Sequence, residues 1–152
     1  MGLALAEAER AGARGEVPIG AVIVDPASGS VLAQTGNQVE ALRDPTAHAE
    51  ILAIRAAVQG LRAAGEGAGD GRWLDGMDLH VTLEPCAMCA AAISLARIRR
   101  LYFGAYDPKG GGVEHGPRLF MLPTCLHRPE VYGGIDERRA GALLKAFFQA
   151  RR

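Results

Sequence analysis

The sequence predicts an α/β protein in which helices cover both faces of a mixed, largely parallel β-sheet. Two observations support this fold class: a β-branched segment near the start is followed by a turn and a second strand, and the later strands alternate with helical segments. The chain has 152 residues, of which 49% are hydrophobic and 22% charged. This size predicts one domain, spanning residues 1–152, with a packed core.

The first elements are a short helix and a hairpin. Leucine and alanine at helical spacing predict a helix over Leu3–Ala13. Val17–Asp25 and Val31–Thr35 are rich in β-branched residues, and each is predicted to be a strand. The turn-forming residues Pro26–Ser30 lie between them, so the two strands are expected to pair antiparallel.

A second helix is expected after the hairpin. Asp44 and Pro45 are typical of an N-cap and a first helical residue, which predicts a helix that begins there and runs towards Gly60. Its buried stripe is predicted to be Ile51, Ile54 and Val58.

The second half of the chain repeats the order of strand and helix. Asp78–Leu83 alternates as a strand does, Pro85 opens a helix over Cys86–Ala96, and Arg99–Gly104 is the next predicted strand. The remaining predicted segments are a flexible connector at Gly65–Gly71, a loop at Asp107–Pro117, a short helix near Leu119–Leu122 and an amphipathic helix over Asp136–Arg152.

Composition argues against several classes of protein. No window holds the eighteen or more consecutive apolar residues that a membrane span requires, so no contact with a membrane is expected. Glu7, Glu9 and Arg10 interrupt the first segment, which therefore lacks the apolar region of a signal peptide. A cytoplasmic protein is expected. The formal net charge is zero, with 17 basic and 17 acidic residues, which argues against non-specific coating of nucleic acid.

Charge is nevertheless distributed unevenly along the chain. Residues 1–96 contain six Lys/Arg and twelve Asp/Glu, whereas residues 97–152 contain eleven and five. The two segments therefore carry net charges of −6 and +6. A polyanion would bind the second segment. A solvated face of basic side chains produces the same asymmetry, so charge alone leaves both interpretations open.

Two short segments contain reactive side chains: Thr46-Ala-His48-Ala-Glu50 and Pro85-Cys86-Ala-Met-Cys89. Each has an ordinary explanation when taken alone. A histidine or glutamate in the first turn of a helix is commonly a capping or surface residue. A Cys-x-x-Cys after a strand can be a thiol redox pair or two small core residues.

The spacing within the two segments predicts a shared metal site. Cys86 and Cys89 are three residues apart, so their sulfurs lie about 60° from one another on a helix and face the same side. His48 and Glu50 are two apart, about 200°, and share a site only if it lies beyond the N-terminal end of their helix. Two helix N-termini are therefore expected to meet at one metal ion, where their dipoles favour thiolates and bound hydroxide.

The number of ligands indicates a catalytic metal. One imidazole and two thiolates leave the fourth position of a tetrahedral zinc for water, whereas a structural zinc site is closed by four protein ligands. No fourth ligand has matching spacing. Cys125 is expected to be a free, buried thiol, and His80 lies on the polar face of its strand. His115 and His127 lie in loops and are alternative candidates for a metal ligand.

Charge balance then suggests a reaction. Zinc with two thiolates and a neutral imidazole sums to zero, so bound water can lose a proton. Glu50 is the nearest carboxylate in sequence that is not needed as a ligand, and it can accept that proton and pass it to a leaving amine. This chemistry suits hydrolytic deamination of an aromatic amidine carbon.

His-x-Glu followed by Pro-Cys-x-x-Cys resembles the known signature of the zinc-dependent nucleobase deaminases. The longer strings EVPIGAV, DPTAHAEI, TLEPCAMC, RIRRLYFGA and LLKAFFQARR resemble the bacterial tRNA adenosine deaminases, from Glu16 to Arg152. The resemblance implies a three-layer α/β/α fold with a central mixed five-stranded sheet, as in cytidine deaminase. It also implies a homodimer. The chain departs from these proteins in its neutral net charge and in the sequence of the loop over residues 110–129.

The resemblance also implies roles for ten residues. It implies one Zn2+ per chain with the ligands His48, Cys86 and Cys89, and it makes Glu50 the catalytic proton shuttle. The implied substrate contacts are Asn37 at the edge of the base, Ile19 and Ala49 in the base pocket, Asp107 near the ribose, and Phe147 and Phe148 beside the bound strand. Phe147 and Phe148 have a simpler explanation as anchors of the last helix to the core, and Asp107 has one as the cap of its own turn before Pro108.

Four hypotheses follow for the function. The first is conversion of adenosine to inosine at the wobble position of a tRNA anticodon stem-loop. The alternative with the same zinc chemistry is deamination of a free base or nucleoside, such as guanine, cytosine or cytidine. A non-catalytic module with a structural zinc would need a fourth protein ligand. A thiol redox protein would leave His48 and Glu50 unexplained.

Overall fold

The structure is a computed structural model that describes residues 1–65 and 72–151. The elements in chain order are α1 (Gly2–Ala13), β1 (Gly20–Asp25), β2 (Ser30–Gly36), α2 (Val39–Leu42), α3 (Ala49–Ala64), β3 (Asp78–Leu83), α4 (Ala87–Leu95), β4 (Arg100–Ala105), a 3-10 turn at Leu119–Met121, β5 (Glu130–Tyr132) and α5 (Glu137–Gln149). The predicted connector at Gly65–Gly71 falls, apart from Gly65, outside the described residues.

The strands form a five-stranded mixed sheet in the order β2-β1-β3-β4-β5. β1 pairs antiparallel with both β2 and β3, whereas β3 pairs parallel with β4 and β4 with β5. The expectation of a mixed sheet is confirmed: four of the five strands run in the same direction, and only β1 runs the opposite way, so two of the four strand pairs are antiparallel. β2 and β3, which α2 and α3 connect along the chain, run in the same direction. They do not pair with each other, because β1 lies between them in the sheet.

Helices cover the sheet on both faces, which confirms the three-layer α/β/α fold. α3 and α4 pack on one face, where their alanines meet Ile23, Leu79 and Phe103 in the main core. α1 and α5 pack on the other face around Leu5 and Ala140. Gly20 lets α1 lie directly on β1, because a Cβ at that position would overlap the backbone of the helix.

Three predicted boundaries in the first half of the chain are wrong by three or four residues, and one of them is the end of α3, which lies at Ala64 and not near Gly60. β1 begins at Gly20 and not at Val17, because Pro18 has no amide hydrogen and the amide of Ile19 donates to the carbonyl of Val17 at 2.7 Å. α3 begins after His48, four residues later than predicted from Asp44. The Asp44 carboxylate instead accepts hydrogen bonds from the amide and the hydroxyl of Thr46, at 2.8 and 2.6 Å, and closes a local turn.

The buried face of α3 also differs from the prediction. Alanines lie against the sheet, and the larger apolar residues flank them. Ala49, Ala53 and Ala57 are fully buried, Ile54 and Val58 are partly buried against the core, and Ile51 is half-buried. Small side chains at the contact allow the helix to lie close to β1 and β2.

The later elements agree more closely with the sequence. β3 has the predicted bounds, α4 and β4 differ by one residue at each end, and the short turn at Leu119–Met121 lies where a short helix is predicted. α5 ends at Gln149, three residues before the predicted end. α2 and β5 were not predicted as elements, and each is short. None of the helices in the described ranges is long and apolar enough to span a membrane.

Candidate metal centre and active site

The structure brings His48, Cys86 and Cys89 together. The Nδ1 atom of His48 lies 3.7 Å from the sulfur of Cys86 and 3.5 Å from the sulfur of Cys89. All three potential ligand atoms lie within 4.8 Å of one another. Among residues 1–65 and 72–151, this is the one group of three or more His, Cys, Asp or Glu side chains arranged to hold a metal ion.

The geometry of this group fits zinc. A tetrahedral zinc with Zn–S distances of about 2.3 Å and Zn–N distances of about 2.0 to 2.1 Å requires an N···S separation of about 3.6 Å. The two observed separations lie within 0.1 Å of that length. Two sulfurs and one imidazole are also the donors that zinc prefers, and three protein donors leave one position open.

Two helix N-termini position these side chains, as the spacing predicted. His48 is the N-cap of α3 and Cys86 is the N-cap of α4, both with extended backbone, and Cys89 lies in the first turn of α4. The carbonyl of His48 accepts the amide of Leu52 at 3.0 Å, so the helix begins at the residue that presents the imidazole. The positive ends of both helix dipoles therefore face the thiolates.

Hydrogen bonding within the group shifts the pKa values of the two thiols in opposite directions. The pKa of Cys86 is lowered to about 4, because the Cys89 thiol and the His48 ring donate hydrogen bonds to its sulfur. The pKa of Cys89 is raised by its hydrogen bond to Cys86 and by burial, and the pKa of His48 is raised by its hydrogen bond with Cys86. Cys86 is therefore a thiolate at neutral pH, which is the form that binds a metal.

Glu50 lies at the second position of α3 and is 4% exposed. Burial raises the pKa of its carboxyl group above the ordinary range, and the thiolate of Cys86 acts in the same direction. It is not a member of the metal group. The structure thus contains a buried carboxylate close enough to the three donors to interact with them electrostatically, as the spacing of His48 and Glu50 predicted.

A cavity of about 660 Å³ opens beside His48. Three of the predicted substrate residues line it, together with several residues that the sequence did not single out as site residues. The lining includes Ile19, Asn37 and Phe147 from the predicted set, and Glu16 and Arg151 in addition.

The other three predicted contacts lie elsewhere. Ala49 is buried at the start of α3, where its carbonyl accepts a hydrogen bond from the Thr35 hydroxyl at 2.7 Å. Phe148 is 51% exposed and packs edge-on against Phe147. Asp107 is half-buried, and its Oδ1 atom accepts hydrogen bonds from the amides of Lys109 and Gly110, at 3.1 and 3.0 Å. These turn contacts are the ordinary explanation for Asp107, and the role beside the ribose stays a prediction.

Residues 1–105 match the sequence profile of the cytidine and deoxycytidylate deaminase zinc-binding region. The chain belongs to this deaminase family. Membership identifies it as a zinc-dependent aminohydrolase, in agreement with the donor set at the two helix N-termini.

Similarity to individual deaminases extends over the whole chain. A tRNA-specific adenosine deaminase from Agrobacterium fabrum is 56% identical over 152 residues, which are all of this chain and 93% of that protein. A solved structure from studies of A-to-I editing by tRNA:A34 deaminases is 56% identical, with a TM-score of 0.85 over 95% of this chain and 97% of that one. A guanine deaminase from Bacillus subtilis is 38% identical, with a TM-score of 0.59 over 68% of this chain and 60% of its own.

The remaining histidines and the third cysteine of this deaminase do not join the metal group. His115 lies 2.7 Å from Glu84, and His127 lies 2.7 Å from the carbonyl of Ile98. His80 stacks on the ring of Tyr102. Cys125 is free, as expected, but half-buried and not fully buried. Its thiol donates to the carbonyl of His127 at 3.1 Å.

Glu84 is a buried carboxylate that sequence reasoning missed. Its Oε1 atom accepts the amides of Val113, Glu114 and His115 at 3.2, 2.8 and 2.9 Å. Its Oε2 atom accepts the amide of Asp107 at 3.1 Å and contacts the His115 ring at 2.7 Å. Burial raises the pKa of Glu84, but these hydrogen bonds outweigh it and hold the pKa below its usual range. The carboxylate therefore fastens the loop over 107–115 to the end of β3.

Two further residues of the cavity wall were also missed. Glu16 is almost fully buried and accepts hydrogen bonds from Asn37 and from the start of α2. Arg151 follows the last turn of α5, where its guanidinium lies 3.6 Å from the centroid of the Phe147 ring and donates to the carbonyl of Gly15 at 2.8 Å. A glutamate within EVPIG and an arginine at a helix end have no periodicity that would indicate either role.

Proposed function

We propose that this deaminase converts adenosine to inosine at the wobble position of a tRNA anticodon. The supporting observation is the similarity, over the whole chain, to a tRNA-specific adenosine deaminase. The guanine deaminases from Bacillus subtilis and Nitrosomonas europaea are 38% and 25% identical, against 56% for this tRNA deaminase, so deamination of free guanine is less well supported. The reaction consumes one water molecule and releases one ammonia molecule.

We assign His48, Cys86 and Cys89 as the ligands of one zinc ion. Their distances and donor types support this assignment. When bound, zinc keeps a fourth position for water and lowers the pKa of that water to about 7. The role of the protein is to present one imidazole and two cysteine sulfurs, which would bind the ion as thiolates, with their geometry already formed at two helix ends.

We assign proton transfer to Glu50. Its buried carboxylate is held next to the donors by the first turn of α3, and it is not needed as a ligand. It accepts one proton from the attacking water and transfers it to a ring nitrogen of the base. It then takes the second proton from the hydroxyl now bonded to the ring carbon and delivers it to the amine, so that the C–N bond breaks, ammonia leaves and a carbonyl remains. General acid–base catalysis of this kind contributes about 10²- to 10⁴-fold in rate.

The cavity beside His48 is proposed to hold the target base. Asn37, Ile19 and Phe147 line it, so an amide, an aliphatic side chain and an aromatic ring are available to a base that is flipped out of its loop. Phe148 is proposed to offer an exposed stacking surface to a neighbouring nucleotide. Ala49 does not line the cavity, so its contact with the base stays a prediction, as does the ribose contact of Asp107. The positive charge of residues 97–152 supports binding of an RNA backbone.

We further propose that the chain is a single domain that acts in the cytoplasm as a homodimer. Large apolar side chains at the end of α4 and in the segment that follows β4 are exposed, among them Leu95 at 73% and Leu126 at 98%. Exposed apolar patches of this kind are typical of protein–protein interfaces. Light scattering at micromolar concentration tests the homodimer, and a mass near the 16.0 kDa of one chain would contradict it.

The function is tested by following ammonia release with purified zinc-loaded protein. One reaction contains an anticodon stem-loop with adenosine at the wobble position, and parallel reactions contain guanine, cytidine and adenosine. A stem-loop with guanosine at the wobble position is the matched control. Ammonia from the adenosine stem-loop, with inosine in the digested RNA, is the expected result. Ammonia from guanine or cytidine, with none from the stem-loop, would contradict the proposal.

A further inference from the structure

Glu16 is a buried carboxylate whose partners are all hydrogen-bond donors. It is 1% exposed and forms no ion pair within the described residues. Its Oε1 atom accepts the amide of Ala41 at 2.8 Å, and its Oε2 atom accepts the amide of Glu40 and the side-chain Nδ2 of Asn37, both at 3.2 Å. Leaving such a group buried without these donors would be costly, so the arrangement is held firmly.

This contact determines which way the Asn37 carboxamide faces. A carboxylate only accepts hydrogen bonds, so the NH2 group of Asn37 must face Glu16 and its carbonyl oxygen must face away. The main chain is held as well, because the amide of Asn37 donates to the carbonyl of Ile19 at 3.0 Å. Asn37 is 4% exposed and lines the cavity, and its Oδ1 atom has no hydrogen-bond partner within residues 1–65 and 72–151.

We infer that Glu16 is a positioning residue that orients Asn37 to select a 6-amino purine over a 6-oxo purine. The inference rests on the proposed function. Adenine presents an N–H donor at N6 beside an acceptor at N7, and an asparagine carboxamide pairs with both. Its oxygen accepts from N6, and the second hydrogen of its nitrogen donates to N7, while the first stays with Glu16.

The same orientation disfavours the product. Inosine and guanosine present acceptors at both O6 and N7. The Asn37 oxygen, fixed by Glu16, would therefore face another oxygen in the product complex. A correct bidentate pair is worth about 1 to 3 kcal/mol of discrimination, or about 5- to 150-fold. Glu16 thus acts on product release and on rejection of guanosine without itself touching the base.

The substitution Glu16→Gln removes the constraint on the orientation of the Asn37 carboxamide with little change in the shape of the side chain at position 16. One carboxylate oxygen becomes an NH2 group, which must face either the amide of Ala41 or the donors at Oε2. In the second case Asn37 rotates its carboxamide so that its oxygen faces Gln at position 16 and its NH2 group faces the cavity. The variant is therefore expected to hold Asn37 in two orientations.

The test measures substrate and product with the same RNA. For each protein, kcat/KM is measured with the wobble-adenosine stem-loop, and Kd is measured with the inosine stem-loop. The proteins are the wild type, Glu16→Gln, Asn37→Ala and the double variant. Glu9→Gln is the charge control, because Glu9 is exposed and forms a surface ion pair with Arg139. Zinc content and thermal denaturation are measured for all of them.

Glu16→Gln is expected to lower kcat/KM at least about fivefold without weakening binding of the inosine stem-loop, so selectivity for substrate over product falls by at least the same factor. Asn37→Ala should lower the selectivity similarly, and the double variant should lower the selectivity no further, since Glu16 acts through Asn37. Glu9→Gln should behave as the wild type does. If Glu16 had a merely structural role, the substitution would lower kcat/KM for the adenosine stem-loop and the affinity for the inosine stem-loop by the same factor.

Three results would overturn the inference. The first is an unchanged selectivity in Glu16→Gln with zinc and fold intact. The second is an unchanged selectivity in Asn37→Ala, which decides the matter if Glu16→Gln does not fold. The third is a wild type that acts on guanine and not on the stem-loop, which contradicts the proposed function as well. In the first two cases the wild type still deaminates the stem-loop, so the two failures are distinguishable.

Discussion

Replacing Glu84 by glutamine tests how firmly the loop over 107–115 is held to the end of β3. Glutamine keeps one oxygen, which can still accept the three amides that now meet Oε1. The other oxygen becomes an NH2 group, which faces the amide of Asp107 and the ring of His115. Because the Glu84 side chain is fully buried, water does not replace the lost acceptor.

The expected loss of stability follows from these two contacts. A hydrogen bond to a charged group contributes about 1.5 to 3 kcal/mol, and a ring nitrogen of His115 can change its role to accept from the new NH2 group. The lost bond to the Asp107 amide costs about 1.5 to 3 kcal/mol, and the change of the His115 contact from a charged to a neutral partner costs about 0.5 to 1 kcal/mol more, so the net loss is about 2 to 4 kcal/mol. For a chain of 152 residues each kcal/mol shifts the Tm by roughly 2 to 4 °C, so the Tm should fall by about 4 to 16 °C.

The assay is thermal denaturation of the zinc-loaded protein, with zinc content checked for each variant. His115→Ala is the matched variant, because it removes the ring contact and keeps all four amides bound to Glu84. Its Tm should lie between those of the wild type and Glu84→Gln. A Glu84→Gln protein whose Tm lies within about 2 °C of the wild type would refute the reasoning, since the carboxylate would then not be what holds the loop.

Four further predictions concern the metal centre, the substrate and pH. Cys86→Ala removes one of three proposed ligands, so metal analysis should show no bound zinc and the ammonia assay no activity. Glu50→Ala should keep one zinc per chain and lower kcat by at least ~10²-fold, and loss of its zinc would show that the two roles are wrongly divided. Asp107→Asn should weaken turnover of the RNA stem-loop and relax discrimination against the same loop with deoxyadenosine at the target; an unchanged ratio of kcat/KM values would leave Asp107 as a turn residue. Burial lowers the pKa of His80, and the nearby terminal ammonium acts in the same direction. Below about pH 6.5 the unfolded chain therefore binds a proton that the folded chain does not, so the free energy of unfolding decreases as the pH is lowered. His80→Phe should show a shallower fall in denaturant melts at matched zinc content, and an equal slope would count against this explanation.

The fold was predictable where one local pattern had no competitor. β3 alternates cleanly, and Pro85 marks the start of the next helix, so both elements lie where expected. The start of α3 was not predictable in the same way. Asp44 has the side chain of an N-cap, but it satisfies the amide and hydroxyl of Thr46 in a turn of its own, and a sequence pattern does not distinguish the two uses.

The candidate site divides along a similar line. The metal group was predictable because ligand type and spacing together restrict the chemistry, and His48 could meet Cys86 only at a helix end. The buried carboxylates were not predictable. Glu84 is bonded to amides more than twenty residues away, and Glu16 to a side chain and to a short helix that no periodicity indicates. Such contacts depend on the tertiary structure and leave no trace in local sequence.

The contact of Arg151 with Phe147 and Gly15 has a consequence for the affinity of the site. Helix ends fray, so the last turn of α5 is expected to open for part of the time. Phe147 lines the cavity when this turn is closed, so if Phe147 contacts the substrate as proposed, opening of the turn would lower the apparent affinity in proportion to the closed fraction. Substrate binding would in turn protect this turn from amide exchange. The end of α5 is therefore a place where a change far from the reacting atoms alters KM through a population of states, with the zinc group itself unchanged.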